Sequence, residues 1–279
     1  MRRQHTRCGR QKIDVCLTLG IYHERITGAM QRFDSDGVEI AYLDEGEGDP
    51  ILLIHGFASN VATNWVDTGW VRTLTRAGRR VIAFDNRGHG ESEKLYDVEA
   101  YSAPLMAEDA VRLLDHLDIP RADVMGYSMG ARIAAFMAMR AQSRVRSAIF
   151  AGLGINMVRG VGGAGPIAAA LEAPSIDDVV NETARTFRAF AESTHSDLRA
   201  LAACIRSSRD KITPEDLAAI SCPVLVAVGT KDVIGGPAAP LAAMIPGAKA
   251  FDIKDRDHMK AVGDRSYKQA VLEFLEQRP

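Results

Sequence analysis

Short, almost continuous apolar runs punctuate this chain: PILLIHG (50–56), RRVIAFD (79–85), ADVMGY (122–127), VRSAIFAG (145–152) and CPVLVAVG (222–229). Each is too short for a buried helix and too apolar for a strand with one wet face, so each reads as a strand covered on both sides. VEIAYLDEG (38–46) alternates as a strand should, and AKAFDI (248–253) reads as one more. Segments of helical period lie between the runs. SAPLMAEDAVRLLDHLDI (102–119) sets Leu105, Val111, Leu114 and Leu117 among polar residues with a helical period, and MGARIAAFMAMRAQ (129–142) and AVGDRSYKQAVLEFLEQ (261–277) also read as helices. WVDTGWVRTLTRAG (65–78) suggests an irregular helix start with a stop at Gly78. Parallel strands need crossovers, and helices supply them. The expected fold class is therefore α/β, a mainly parallel, doubly wound sheet with helices on both faces.

The interval 153–215 breaks this alternation. It opens with the glycine-rich GVGGAGP and continues with two amphipathic stretches, SIDDVVNETARTFRAFAE and SDLRALAACIRSS. We expect a small helical cap or lid inserted over one end of the sheet, with 30–152 and 216–279 forming the α/β core. Residues 1–29 are basic and aperiodic. They begin like a secretory signal, with Arg2 and Arg3, but Asp14 interrupts the apolar run and no small-residue cleavage site follows. They are expected to be a dispensable extension, with Met30 as the physiological start.

Composition narrows the classes. The chain of 279 residues carries a formal charge of −2, so no strong positive field exists to attract nucleic acid or anionic lipid. No apolar stretch approaches the roughly 18 residues that cross a bilayer. The cysteines, Cys8, Cys16, Cys204 and Cys222, have neither CxxC nor zinc spacing and are expected to be reduced thiols of a cytoplasmic protein without a metal.

Chemistry enters at VMGYSMGARI (124–133). A strand ends at Tyr127 and a helix begins at Met129, so Ser128 sits in the turn between them. A turn this tight brings the backbone before and after Ser128 together, where side chains at Gly126 and Gly130 would clash. It also lifts the hydroxyl above the strand ends, beside helical N–H groups. A serine hydroxyl is a poor nucleophile without a base, and the base needs an orienting carboxylate. Of the histidines, His5 and His23 lie in the extension, His116 on a helix and His195 in the insertion. His55 and His89 lie in the loops that follow the runs at 50–56 and 79–85. His258 lies just past the strand 248–253, at the end of the sheet where Ser128 emerges. Asp232, in GTKDVIGG after the run 222–229, reaches the same end. The expected order is Ser128, Asp232, His258.

These pieces together, HGF (55–57), FDNRGHGES (84–92), GYSMG (126–130), GTKD (229–232) and DHM (257–259), make residues 32–277 resemble the α/β-hydrolase fold family, in particular its serine esterase-like members. Asp257 stands where the family often has glycine before the histidine, so Asp255 and Asp257 are competitors to orient the imidazole. The resemblance implies an oxyanion hole built from the backbone N–H groups of Phe57 and Met129. It gives His55 and Gly56 the task of shaping that loop, and Asp85, Arg87, Gly88, His89 and Gly90 the bracing of a neighbouring one.

Gly160, Gly162 and Gly165 match G-x-G-x-x-G on paper, but no strand leads into them and Pro166 follows, so a hinge of the insertion is expected rather than a dinucleotide site. Met129, Met137 and Met139 read as helix packing. Trp65, Leu153, Ile155, Met157 and Val158 are apolar candidates for a substrate pocket, with no clustered arginines to clamp an anion. The expected activity is hydrolysis of a small neutral carboxylic ester through an acyl-enzyme, needing no cofactor. A lactonase, a carbon–carbon bond hydrolase and a perhydrolase on the same three residues are alternatives. So are a ligand receptor on the same fold and the nucleotide oxidoreductase that GVGGAG would imply.

Overall fold

The computed structural model describes residues 29–207 and 210–278. The expected extension, apart from its last residue, lies outside them, as do His5, His23, Cys8 and Cys16. An eight-stranded sheet runs through the molecule in the order β1-β2-β4-β3-β5-β6-β7-β8. The strands are β1 Gln31–Asp34, β2 Glu39–Glu45, β3 Asp49–Ile54, β4 Arg79–Phe84, β5 Ala122–Tyr127, β6 Val145–Ala151, β7 Val224–Gly229 and β8 Lys249–Ile253. β1 and β2 pair antiparallel, β2 meets β4 antiparallel, and the pairings from β4 through β8 are parallel.

The apolar runs are buried on both faces because each strand divides its residues between two cores. Leu52, Ile54, Ile82, Val124 and Phe150 join one cluster, and Ile51, Leu53, Val81, Met125 and Ile149 the other. The first cluster is closed by helices α2 (Ala103–His116) and α3 (Met129–Arg140), the second by α1 (Trp70–Arg76) and α11 (Arg265–Gln277). Burying one Leu or Ile side chain stabilises the fold by about 1.5–3 kcal/mol, which is why runs without a polar face persist here.

Between β6 and β7 the chain forms α4 (Asn156–Arg159), α5 (Ala164–Glu172), α6 (Glu182–Ser193), α7 (Leu198–Ser207) and α8 (Pro214–Ala218). The short helices α9 (Ala238–Ala242) and α10 (His258–Ala261) flank β8.

Several elements differ from the sequence reading. β1 has a single buried residue, Phe33, so it carries no alternation to detect; pairing with β2 makes it a strand. α5 begins inside GVGGAGP, read as loop. Pro166 is tolerated because first-turn N–H groups need no helical acceptor, and Ile167, Ala168, Ala170 and Leu171 supply the buried face. The segment 261–277 splits into α10 and α11, because the Asp264 carboxylate accepts the Ser266 N–H at 2.7 Å and starts a new helix. The irregular start at 65–78 is a π-helical turn, Ala62–Val66, followed by α1 after Gly69 at φ 77°. Among the described residues no helix is long and apolar enough to cross a membrane.

Candidate active site

In the order β4-β3-β5, the chain leaves β3 toward one side and β5 toward the other, so the loops after these two strands diverge and open a crevice at their carboxyl ends. Ser128 stands in it. Its backbone adopts φ 55°, ψ −113°, an unfavourable conformation for serine. Hydrogen bonds from Ser128 N–H to Ala151 O (2.8 Å) and from Ala131 N–H to Ser128 O (3.0 Å) hold it there. A Cβ on Gly126 would overlap the Gly130 carbonyl and lie 2.6 Å from Ala131 N; one on Gly130 would overlap the Ile54 carbonyl and lie 2.7 Å from His55 O. The flanking glycines thus let β5, α3 and the end of β3 touch through bare backbone.

Ser128 Oγ lies 3.0 Å from His258 Nε2, and His258 Nδ1 lies 2.7 Å from Asp232 Oδ2. Asp232 Oδ1 accepts the N–H groups of Ile234 (2.9 Å) and Gly235 (2.8 Å), which fixes the carboxylate. An ionised carboxylate only accepts, so Nδ1 carries the imidazole proton and Nε2 offers its lone pair to the hydroxyl. Tyr127 Oη donates to His258 O at 2.6 Å and anchors the loop that carries the ring. The competing carboxylates are engaged elsewhere. Asp257 caps α10 by accepting the Met259 and Lys260 N–H groups at 3.1 and 2.9 Å, and Asp255 pairs with Lys231 at 2.9 Å on the surface. This geometry can turn an alcohol into a nucleophile by passing its proton to a held imidazole.

Neither the Phe57 nor the Met129 backbone N–H donates to an acceptor among the described residues. The Phe57 loop is braced from beneath. His55 Nδ1 donates to Gly56 O (2.7 Å) while its Nε2 accepts the Asn86 N–H (2.9 Å). Asp85 accepts the N–H groups of Val61 and Glu91, both at 2.7 Å, with Gly90 leaving room for the carboxylate. Arg87 pairs twice with buried Asp109 at 2.7 Å, and Gly88 accommodates the Tyr101 ring. His89 packs between His55 and Phe57, with ring centroids at 5.2 and 5.9 Å.

Burial pushes the His55 pKa down to about 4; burial and then the neighbouring His55 push His89 down to about 3. Unfolded histidine titrates near 6.5, so below that pH the unfolded chain binds protons the folded one refuses, and stability falls with pH. We expect the unfolding free energy from urea titrations to drop between pH 6.5 and 4, by up to about 1.4 kcal/mol per pH unit for each histidine. Asp85, whose pKa burial raises, acts in the opposite sense. His89→Asn should roughly halve the histidine part of the slope; an unchanged slope would contradict this account.

Ser128 faces two cavities. One, about 420 Å³, lies on the His258 side and is lined by Asn64, Tyr127, Phe190 and Met259 among others; one of about 290 Å³ is lined by Met129, Arg132, Leu153 and Asn156. Phe57, Thr183, Phe187, Val233 and Ile234 border both. Of the pocket residues expected from sequence, Leu153 borders the smaller cavity, with Asn156 and Gly160, while Trp65, Ile155, Met157 and Val158 border neither. Ile155 packs near Gly236, Met157 is in the core, and Val158 packs against that core. Trp65 faces the opposite way from Asn64, into the core against Trp70 (6.5 Å between centroids). Part of the missed lining comes from α6: Thr183, Thr186, Phe187 and Phe190 follow helical spacing, a signal present in TARTFRAF. Met129, read as packing, also borders the smaller cavity. Gly160 and Gly162 border it too, with no strand leading in. Among the described residues no cluster of three metal-ligating side chains occurs.

Comparison with known proteins places this geometry. Residues 49–161 match the family described as alpha/beta hydrolase fold. A non-heme chloroperoxidase of Kitasatospora aureofaciens is 37% identical over 115 residues, 41% of this chain and 40% of that protein. A 2-hydroxymuconate semialdehyde hydrolase of a Pseudomonas strain is 37% identical over 116 residues, 42% of this chain and 40% of the relative. The matched stretch thus spans about two fifths of these curated relatives. Over a longer range, the crystal structure of a hydrolase from Pseudomonas aeruginosa superposes with a TM-score of 0.73 at 26% identity, covering 89% of this chain and 99% of that one.

Proposed function

The chain belongs to the α/β-hydrolase fold family, and from that premise we propose that it is a serine hydrolase of neutral carboxylic esters. The observation that carries this is the hydrogen-bonded file Ser128 Oγ–His258 Nε2, His258 Nδ1–Asp232 Oδ2 at 3.0 and 2.7 Å, opening onto apolar cavities. Ser128 Oγ attacks the ester carbonyl carbon as its proton moves to His258 Nε2, and Asp232 stabilises the imidazolium. The carbonyl oxygen, now an anion, accepts from the N–H groups of Phe57 and Met129, donors worth about 3 kcal/mol each in such positions. Collapse breaks the bond to the alcohol oxygen, which takes the proton from His258. Water, deprotonated by the same imidazole, then attacks the acyl-enzyme and releases the acid and Ser128.

The geometry also orients the ester. His258 borders the larger cavity and not the smaller, so the departing alcohol, which it must protonate, belongs in the larger; the acyl group takes the smaller, beside Met129. The mainly apolar lining supports a neutral substrate. Arg132 is the lysine or arginine there among the described residues, and its guanidinium donates to Asp210 O (2.8 Å) and Met157 O (3.0 Å). In this reading α4–α7 form a cap: Thr194 Oγ1 donates to Ala58 O at 2.9 Å and Phe187 lies 6.0 Å from Phe57, so α6 and its C-terminal cap rest on the loop after β3 beside the crevice.

The test is turnover of p-nitrophenyl acetate, butyrate and octanoate. We expect multiple turnovers that are lost in Ser128→Ala. Absence of turnover with every ester by folded protein, or equal rates in Ser128→Ala, would refute the proposal.

A further inference from the structure

Asn64 sits in the π-helical turn Ala62–Val66, is 5% exposed and lines the larger cavity. Its Oδ1 accepts the Gly56 N–H at 3.1 Å. That bond fixes the amide's orientation, since a flipped amide would set two donors against each other. The opposite end, Nδ2, is buried and has no hydrogen-bond partner among the described residues. Buried, unpaired side-chain atoms also occur on Trp65, Asn86 and His89, but these residues border none of the cavities described here. The amide is close to the nucleophile: a Cβ on Gly56 would lie 3.3 Å from Ser128 Cβ and 3.8 Å from Asn64 Oδ1. An amide donor buried beside a cavity without an acceptor costs free energy, and a ligand whose acceptor reaches it recovers that cost.

We propose that Asn64 Nδ2 is a substrate-binding donor in the leaving-group cavity, and that the protein selects esters whose alcohol part is apolar but carries one hydrogen-bond acceptor, such as an ether or carbonyl oxygen. The inference rests on the ester-hydrolase reading and on the assignment of the larger cavity to the alcohol. It makes Asn64 bifunctional: Oδ1 holds the loop that carries Phe57, and Nδ2 reads the substrate. A site that binds an oxygen discriminates strongly against the analogue lacking it, because its own donor is then left unpaired.

The test compares cyclohexylmethyl acetate with the 2-, 3- and 4-tetrahydropyranylmethyl acetates, which share its shape and move a single ether oxygen around the ring. One isomer should exceed the cyclohexyl ester in kcat/KM by about tenfold in wild type. That preference should vanish in Asn64→Asp, which keeps an oxygen for the Gly56 N–H and removes the donor, and in Asn64→Leu, which removes both. Preferences unchanged within threefold in either variant overturn the proposal, as does an equal loss of turnover for all four esters, which would assign Asn64 to the loop alone. A second measurement keeps Asn64 intact. In Ser128→Ala, the side-chain amide ¹⁵N resonance of Asn64 should shift on adding the matching tetrahydropyranylmethanol and not on adding cyclohexylmethanol; no difference between the two overturns the proposal. If wild type hydrolyses none of the esters, the ester reading fails, and the resonance experiment still decides whether Asn64 binds an oxygen acceptor.

Discussion

Replacing Ser128 with alanine should lower kcat for p-nitrophenyl esters by about 10⁴-fold or more while leaving the thermal midpoint within a few degrees of wild type. The expectation follows from what the serine does. In the proposed mechanism it supplies the attacking atom, and the remaining machinery, oxyanion donors and pockets, accelerates attack by water only weakly. The side chain lost is small, and the strain of holding serine at φ 55° remains with alanine, so stability changes little. Asp232→Asn should cost about 10⁴-fold in kcat for a different reason. With an amide at 2.7 Å from Nδ1, the imidazole can be held in the tautomer that places a proton on Nε2, facing Ser128. Wild-type rates in Asp232→Asn would mean another acid orients the ring, an outcome that the engagement of Asp255 with Lys231 and of Asp257 with the α10 N-terminus argues against.

Gly126→Ala and Gly130→Ala should each destabilise the fold by more than about 4 kcal/mol, or yield insoluble protein, because the added methyl meets backbone and not the end of a movable side chain. Relief requires that α3 move away from β3 and β5, and these strands lie mid-sheet with both faces packed. The contrast is Gly165→Ala. There a Cβ meets nothing within 4 Å, the residue lies in the first turn of α5, and alanine favours helix by up to about 1 kcal/mol. Urea unfolding of the variants separates the cases. A mild effect of Gly126→Ala would show that the close approach of strand and helix is not what requires glycine.

How much of this was legible beforehand varies with the kind of signal. The strands β3 to β7 announced themselves because a strand buried on both faces has no polar alternation to confuse with a helix surface. β1 did not, since one buried phenylalanine is no pattern and its strand character comes from pairing with β2. α5 was hidden by Gly165 and Pro166, residues that break helices inside but not in the first turn. In the site, Ser128, Asp232 and His258 could be brought together on paper, because each follows a parallel strand and parallel strands end on the same edge. The pocket wall could not. Apolar residues such as Ile155, Met157 and Trp65 serve a core as readily as a cavity, and only the rotation of each helical turn decides which.

The sequence by itself determined the α/β alternation, the bare-backbone turn around Ser128 and the edge of the sheet at which the polar residues gather. These depend on local sterics and on the period of burial along the chain, which a linear string carries in full. Tertiary structure decided which carboxylate meets His258, which face of α6 lines the crevice, and that the Asn64 amide is buried beside it with Nδ2 unpaired among the described residues. Each of those depends on distances across elements far apart in the chain, set to within an ångström by packing that no single segment encodes.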